Sequence, residues 1–174
     1  MIPEESRFHA DPEELVAASK ALPEGWYVDT PDPDDPADLR RLTELLRAHE
    51  REGRGWAGAE QDDVLVEVSD HGLRTRQNVV VRDGSGLIRA WGSVHDRASG
   101  RMLFVHVVER ALAEPLGLAC SSVLVEWAVA QAREVGSARG LEVQQIDTGV
   151  FAGDERQRHW LAEAGFAQDR KSVG

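Results

Sequence analysis

A chain of 174 residues, 41% apolar and 29% charged, has the composition of a folded globular protein, and at that size a single core buries roughly 70% of the unfolded chain's surface. Its 31 acidic and 20 basic side chains give a net charge of −11, which repels phosphate backbones, so nucleic acid is not an expected partner. No stretch reads as the long apolar run that spans a bilayer, so no membrane partner is expected, and the acidic, polar N-terminus lacks the order of a secretory leader. A lone cysteine, Cys120, forbids an internal disulfide and fits a cytoplasmic location; the six scattered histidines share no zinc-ligand spacing with it, so no metal is expected.

Along the chain, Asp11-Pro12-Glu13-Glu14 reads as an N-cap, a first-turn proline and first-turn acids, opening a helix to about Leu22. Gly25 to Val28 reads as a first strand, and the segment 29–36, dense in proline and aspartate, as a loop. Leu39, Leu42, Leu45 and Leu46 recur at helical spacing and predict a helix to about Glu52, broken by the glycines between Gly53 and Gly58. Between Gln61 and Ser69 the valines fit either period; the polar, acidic start favours a short helix over a strand.

The middle is β. Asn78 to Val81 predicts a strand, Asp83-Gly84-Ser85-Gly86 a turn, and Leu87 to Val94 the returning strand. After a second turn over 97–100, the run Met102 to Val108 is apolar enough for a strand buried on both faces. An apolar helix is expected over Ser121 to Val135, a strand over Leu141 to Ile146, and a helix over Asp154 to Ala164 closed by Gly165, with Phe166 opening a short last strand. A helix between two strands favours a parallel pair with a right-handed crossover.

The order of these elements, together with Trp160-Leu161-Ala162-Glu163-Ala164-Gly165-Phe166 and the meander from Val79 to His106 with its Asp-Gly turn, resembles the GNAT superfamily of acyl-CoA-dependent acyltransferases over roughly residues 25 to 170. The stretch Ile146 to Phe166 is similar to segments of two-domain GNAT proteins, a group that includes the mycothiol synthases. The resemblance implies an α/β (α+β) fold: a mixed central sheet with helices on both faces, antiparallel first strands and a parallel fourth and fifth pair. It also implies residues 1–24 as a helical extension and 25–174 as the GNAT-like domain, lacking the hairpin that usually closes the family's sheet. A homodimer or a second GNAT domain would complete that sheet.

Family members place a Gln/Arg-x-x-Gly-x-Gly/Ala loop before the long helix, where backbone amides meet the coenzyme A diphosphate. Here the stretch is Glu114-Pro115-Leu116-Gly117-Leu118-Ala119-Cys120-Ser121-Ser122. Aligned on Gly117 and Ala119, Glu114 takes the Gln/Arg position; aligned on the helix, Leu116, Ala119 and Ser121 take the motif positions. Both registers lose the first polar or basic residue and at least one glycine. The resemblance then gives Gly117, Ala119, Ser121 and Ser122 to the diphosphate, and the backbone of Val107 and Val108 to the pantetheine and thioester. Leu161 stands where many members carry a proton-donating tyrosine, and Glu109, at the end of the fourth strand, is the candidate general base. His106 is expected as a hydrogen-bonded core histidine, His159 as a surface residue, Asp147 as a turn or cap, and Trp56 and Trp91 as core.

The implied activity is N-acetyl transfer from acetyl-CoA, as acyl donor, to a small-molecule amine. The alternative is a catalytically inactive GNAT-like domain with a structural or CoA-binding role, supporting a second domain or subunit.

Overall fold

The computed structural model describes residues 19–69 and 75–168. The helix expected from Asp11 lies outside them as far as residue 18. In chain order the elements are β1 (Tyr27–Asp29), α1 (Pro36–Arg54), α2 (Gln61–Val68), β2 (Arg76–Arg82), β3 (Ile88–Asp96), β4 (Arg101–Val108), α3 (Glu114–Ala138), β5 (Gln145–Thr148) and α4 (Glu155–Glu163). The strands form one sheet in the order β1-β2-β3-β4-β5, antiparallel except for the β4–β5 pair, which is parallel as the strand-helix-strand pattern predicts.

Helices cover both faces, and the strands alternate between two cores. Val80, Trp91 and Val107 pack with Leu39, Leu42 and Leu45 of α1 and Val64 and Val68 of α2. On the opposite face Val79, Val81, Ala90, Phe104 and Val108 pack with the apolar side of α3 and with Trp160 and Leu161 of α4. Trp91 belongs to the core as expected, its indole N–H donating to Asn78 (2.9 Å), whereas Trp56 is on the surface under the Arg54 guanidinium.

Several boundaries move for identifiable reasons. α1 runs through Gly53 to Arg54, and Gly53 is a packing glycine rather than a helix break: the Phe151 ring stands where its side chain would be. α2 is helical as read, with Asp63 accepting from the Glu60 N–H (2.9 Å) at its start. α3 begins at Glu114 rather than Ser121, since Pro115 sits in the first turn, where a missing N–H is tolerated. Its 25 residues are long and apolar enough to cross a bilayer, contrary to the sequence reading, but 67% of its most apolar window is buried inside the protein. Leu141 to Gln144 is a loop rather than strand, because the Leu141 N–H bonds back to Gly136 and closes α3. Gly165 and Phe166 close α4 by donating to Ala162 and Leu161. Residues 166–168 form no strand, and the remainder of the expected last strand lies outside the described residues.

One ion pair ties the first helix to the sheet. Arg82 of β2 donates to both oxygens of Asp38 in α1 (3.0 and 2.7 Å) and to Asp29 (2.7 Å). Burial works to raise the Asp38 pKa, yet the bonds from Arg82 and from the Asp32 amide hold it below the ordinary value. Removing Arg82 would strand a buried carboxylate, so Arg82→Met is expected to lower stability by about 3 kcal/mol near neutral pH. Urea denaturation measures this; a loss below about 1 kcal/mol would show that Asp38 does not depend on the guanidinium.

Candidate functional site

The site begins where β5 leaves β4. Their pairing runs from Arg101↔Gln145 to Phe104↔Thr148 and stops, while β4 continues to Val108 along β3. Successive residues of a strand turn their backbone groups to opposite sides, and the Glu109 N–H bonds to the Arg89 carbonyl of the β3 side. Val107 therefore faces β3, whereas His106 and Val108 face the slot that opens beside β4. Of the two residues read as pantetheine contacts, the slot receives the backbone of Val108 and not that of Val107.

The first turn of α4 fills this slot. Gln157 Nε2 donates to the His106 carbonyl (2.9 Å) and to His106 Nδ1 (3.0 Å). Arg156 donates to the Val108 carbonyl (3.2 Å) and, more distantly, to that of Glu109 (3.5 Å), with its guanidinium over the Trp160 ring. Between His49, His106, Val108, Arg110 and these α4 side chains no room is left even for a water molecule, whereas a typical ligand pocket holds roughly 300–1,000 Å³.

A charged and polar network holds the turn in place. Asp154 caps α4 by accepting from the Gln157 N–H (3.1 Å), and Arg110 makes a two-pronged ion pair with the same buried carboxylate. His49 of α1 lies against Arg110 (3.3 Å) and stacks at a tilt on Phe151. His106 is the core histidine that the sequence predicts: Nδ1 accepts from Gln157, so Nε2 carries the proton and donates to Ser121 Oγ at 2.8 Å. That direction is the reverse of the one that activates a serine nucleophile.

The stretch read as a cofactor loop is helix throughout. Leu116 and Gly117 donate their amides to the Ala113 carbonyl, Pro115 has no N–H, and Ala119, Ser121 and Ser122 lie inside α3, where amides bond four residues back. Gly117 serves packing, for a side chain there would come within 2.8 Å of the buried Trp160 ring. Ala119 and Ser121 are buried, Ser121 against His106, and Ser122 is half-buried on the next position of the helix. Cys120 is fully buried beside them, and burial pushes its thiol up to about 12.

Glu109 follows β4, next to Arg110, but its carboxylate is paired outside this network. One of its oxygens accepts from Arg41 of α1 (2.9 Å) and the other from Arg89 of β3. Leu161 is core, and Tyr27, the one tyrosine, stands on the outer strand β1. His159 is exposed beside Glu163 (3.3 Å), and Asp147 is an exposed partner of Arg101 (2.9 Å). Sequence reading missed Arg110, Arg156 and Gln157. The signal was the four-residue spacing that sets Arg156 under Trp160 and Gln157 beside Leu161, on the buried face of the last helix.

No family model and no curated protein matches this sequence. Solved structures do. A GCN5-related N-acetyltransferase from Sphaerobacter thermophilus superposes with a TM-score of 0.68 at 18% identity over 84% of this chain, which spans only 44% of that longer protein. An acetyltransferase from Streptococcus agalactiae gives 0.67 at 15% identity, covering 87% of this chain and 88% of its own. The yncA protein of Salmonella typhimurium, solved with its cofactor acetyl-CoA, gives 0.59 at 16% identity over 82% of this chain and 79% of its own. The chain has the fold of the GNAT acetyltransferases, with a mixed sheet of five strands.

The buried histidines make the site acid-sensitive. Burial pushes His106 down to about 3, with His49 adding to the effect; burial and then Arg110 push His49 down to about 4. The unfolded chain takes up these protons near pH 6.5, so it binds more protons than the folded one at lower pH. Stability is thus complete above about pH 6.5 and falls towards pH 4, by up to about 1.4 kcal/mol per pH unit for each histidine. Denaturant titrations at pH 7 and pH 5 should show the loss, and His106→Gln should shrink it. An unchanged pH dependence in that variant would remove His106 from the account. Separately, Gly117→Ala should destabilise the fold by about 1–3 kcal/mol through overpacking on Trp160, and a melting temperature equal to wild type would contradict that contact.

Proposed function

We propose that this chain is an N-acetyltransferase that moves an acetyl group from acetyl-CoA to a small-molecule amine. The observation that carries this reading is the end of the β4–β5 pairing at Phe104 in a GNAT-type sheet, which leaves the backbone of His106 and Val108 facing a slot that no strand fills. That slot suits the extended, amide-bearing arm of the cofactor, once Arg156 and Gln157 leave it. The acetyl-CoA in the Salmonella protein supports the choice of donor. Bound there, acetyl-CoA supplies an activated thioester carbonyl. The chain's own part is to hold the donor beside the amine, because direct attack by an amine depends mainly on positioning and on charge stabilisation at the carbonyl oxygen.

Glu109 is the candidate base in this scheme, and it works only when Arg41 or Arg89 releases one of its oxygens. Gly117, Ala119, Ser121 and Ser122 would act through the N-terminal half of α3, whose dipole end lies at Glu114, rather than through a glycine loop. We also place the protein in the cytoplasm and leave room for a second copy or a second GNAT domain beside it, as the longer Sphaerobacter chain suggests.

A second reading is favoured by the filled slot: a GNAT-like domain that binds no acyl donor and supports a neighbouring domain or subunit. The two separate in a thermal-shift titration followed by a turnover assay. Acetyl-CoA at 100 times its dissociation constant should stabilise the folded state by about 2.7 kcal/mol, and Glu109→Gln should slow transfer by roughly 10²-fold or more. No shift at millimolar acetyl-CoA would sink the enzyme reading, and a near-wild-type rate in Glu109→Gln would remove that residue from the chemistry.

A further inference from the structure

The side chains in the slot imitate a ligand. His106 and Val108 are two apart in β4, so their carbonyls face the same way, roughly 6.6 Å apart along the strand, and each accepts from a neighbour on α4. An additional strand laid on that edge would supply N–H donors at the same two points. We propose that Arg156 and Gln157 are an internal competitor for the slot and set its specificity: a ligand binds beside β4 only if its own amide N–H groups replace the donors that these two side chains provide. The inference rests on the acyl-donor reading above and names the residues that govern access to that site.

Three observations make the pair a displaceable occupant rather than a permanent part of the core. Arg156 is held loosely, by bonds of 3.2 and 3.5 Å to carbonyls, and it forms no ion pair with a carboxylate among the described residues. Its neighbour Arg110, by contrast, is locked to Asp154. Burial and the proximity of Arg110 both work against the charge on Arg156, so moving it into water relieves a cost. Gln157 is 3% exposed, and while its amide nitrogen is used twice, its oxygen Oε1 is buried without a partner. A ligand arm that displaces Gln157 frees Oε1 to reach water, while the arm's own N–H takes over the His106 carbonyl.

The test is calorimetric and uses acetyl-pantetheine, which carries the amide arm and thioester without phosphate charges, alongside acetyl-CoA. Arg156→Met keeps an apolar contact with Trp160 and removes the donor; Gln157→Leu removes the second donor in a separate protein, so that misfolding of one leaves the other informative. Each variant is expected to bind acetyl-pantetheine at least tenfold more tightly than wild type while retaining a cooperative melt. Binding of acetyl-pantetheine no tighter than wild type in either variant, with wild type binding acetyl-CoA, overturns the competitor and leaves the acetyltransferase reading intact. If neither compound binds wild type or either folded variant, both proposals fall.

Discussion

The structure turns on what becomes of β4 after its fifth-strand partner departs. Parallel strands that diverge leave backbone groups facing a gap, and buried carbonyls without donors are costly. In this chain β5 stops at Thr148, and the groups beyond are met by the side chains of α4. The position of that helix follows from the same need. Asp154 caps it, Arg110 at the end of β4 neutralises the cap, and Trp160 one turn further on seats against Gly117 of α3. The slot, the last helix and the start of the long helix are therefore one packed unit.

The polar interior of that unit explains the unusual state of its histidines. His106 bonds to Ser121 on one side and Gln157 on the other, and burial there favours its neutral form. Arg110 already balances Asp154, so a protonated His49 or His106 would be a surplus cation. A network with fixed proton positions is stiff, because each donor has one place to point. Arg156 stands at its rim, bonded to carbonyls alone, which makes it the member most readily exchanged.

The fold was legible in the sequence because its signals are local and repeated. Leucines at helical spacing marked α1, the Asp83-Gly84-Ser85-Gly86 turn marked the β2–β3 hairpin, and Gly165 marked the end of α4. The parallel pairing of β4 and β5 followed from the apolar helix between them. The site was far less legible. Glu114 to Ser122 reads as a loop through the family resemblance, but Pro115 is as much at home in a helix's first turn, and only the contact with Trp160 reveals what Gly117 is for. Arg156 and Gln157 look like ordinary polar residues of a surface helix; that they point inward depends on β5 ending at Thr148 and leaving the carbonyls of His106 and Val108 for them, which no local pattern records. Glu109 is singled out by its place at the strand end, whereas its two arginine partners, Arg41 and Arg89, are distant in the chain.

The two functional readings are closer physically than they sound. A ligand that requires a minor open state binds with its intrinsic dissociation constant divided by the fraction of molecules that are open. A slot open in about one molecule in a hundred weakens binding about a hundredfold and leaves the chemistry untouched; one open in about one in a million is inert at any cellular ligand concentration. If the proposed competition for the slot holds, what separates an acetyltransferase from a silent copy of its fold is the free energy of moving two side chains off two carbonyls. The bonds in question are a loose one from Arg156 and a firm one from Gln157. The fold itself can survive unaltered while that balance drifts in either direction, since the same bonds that exclude the ligand also satisfy the backbone in its absence.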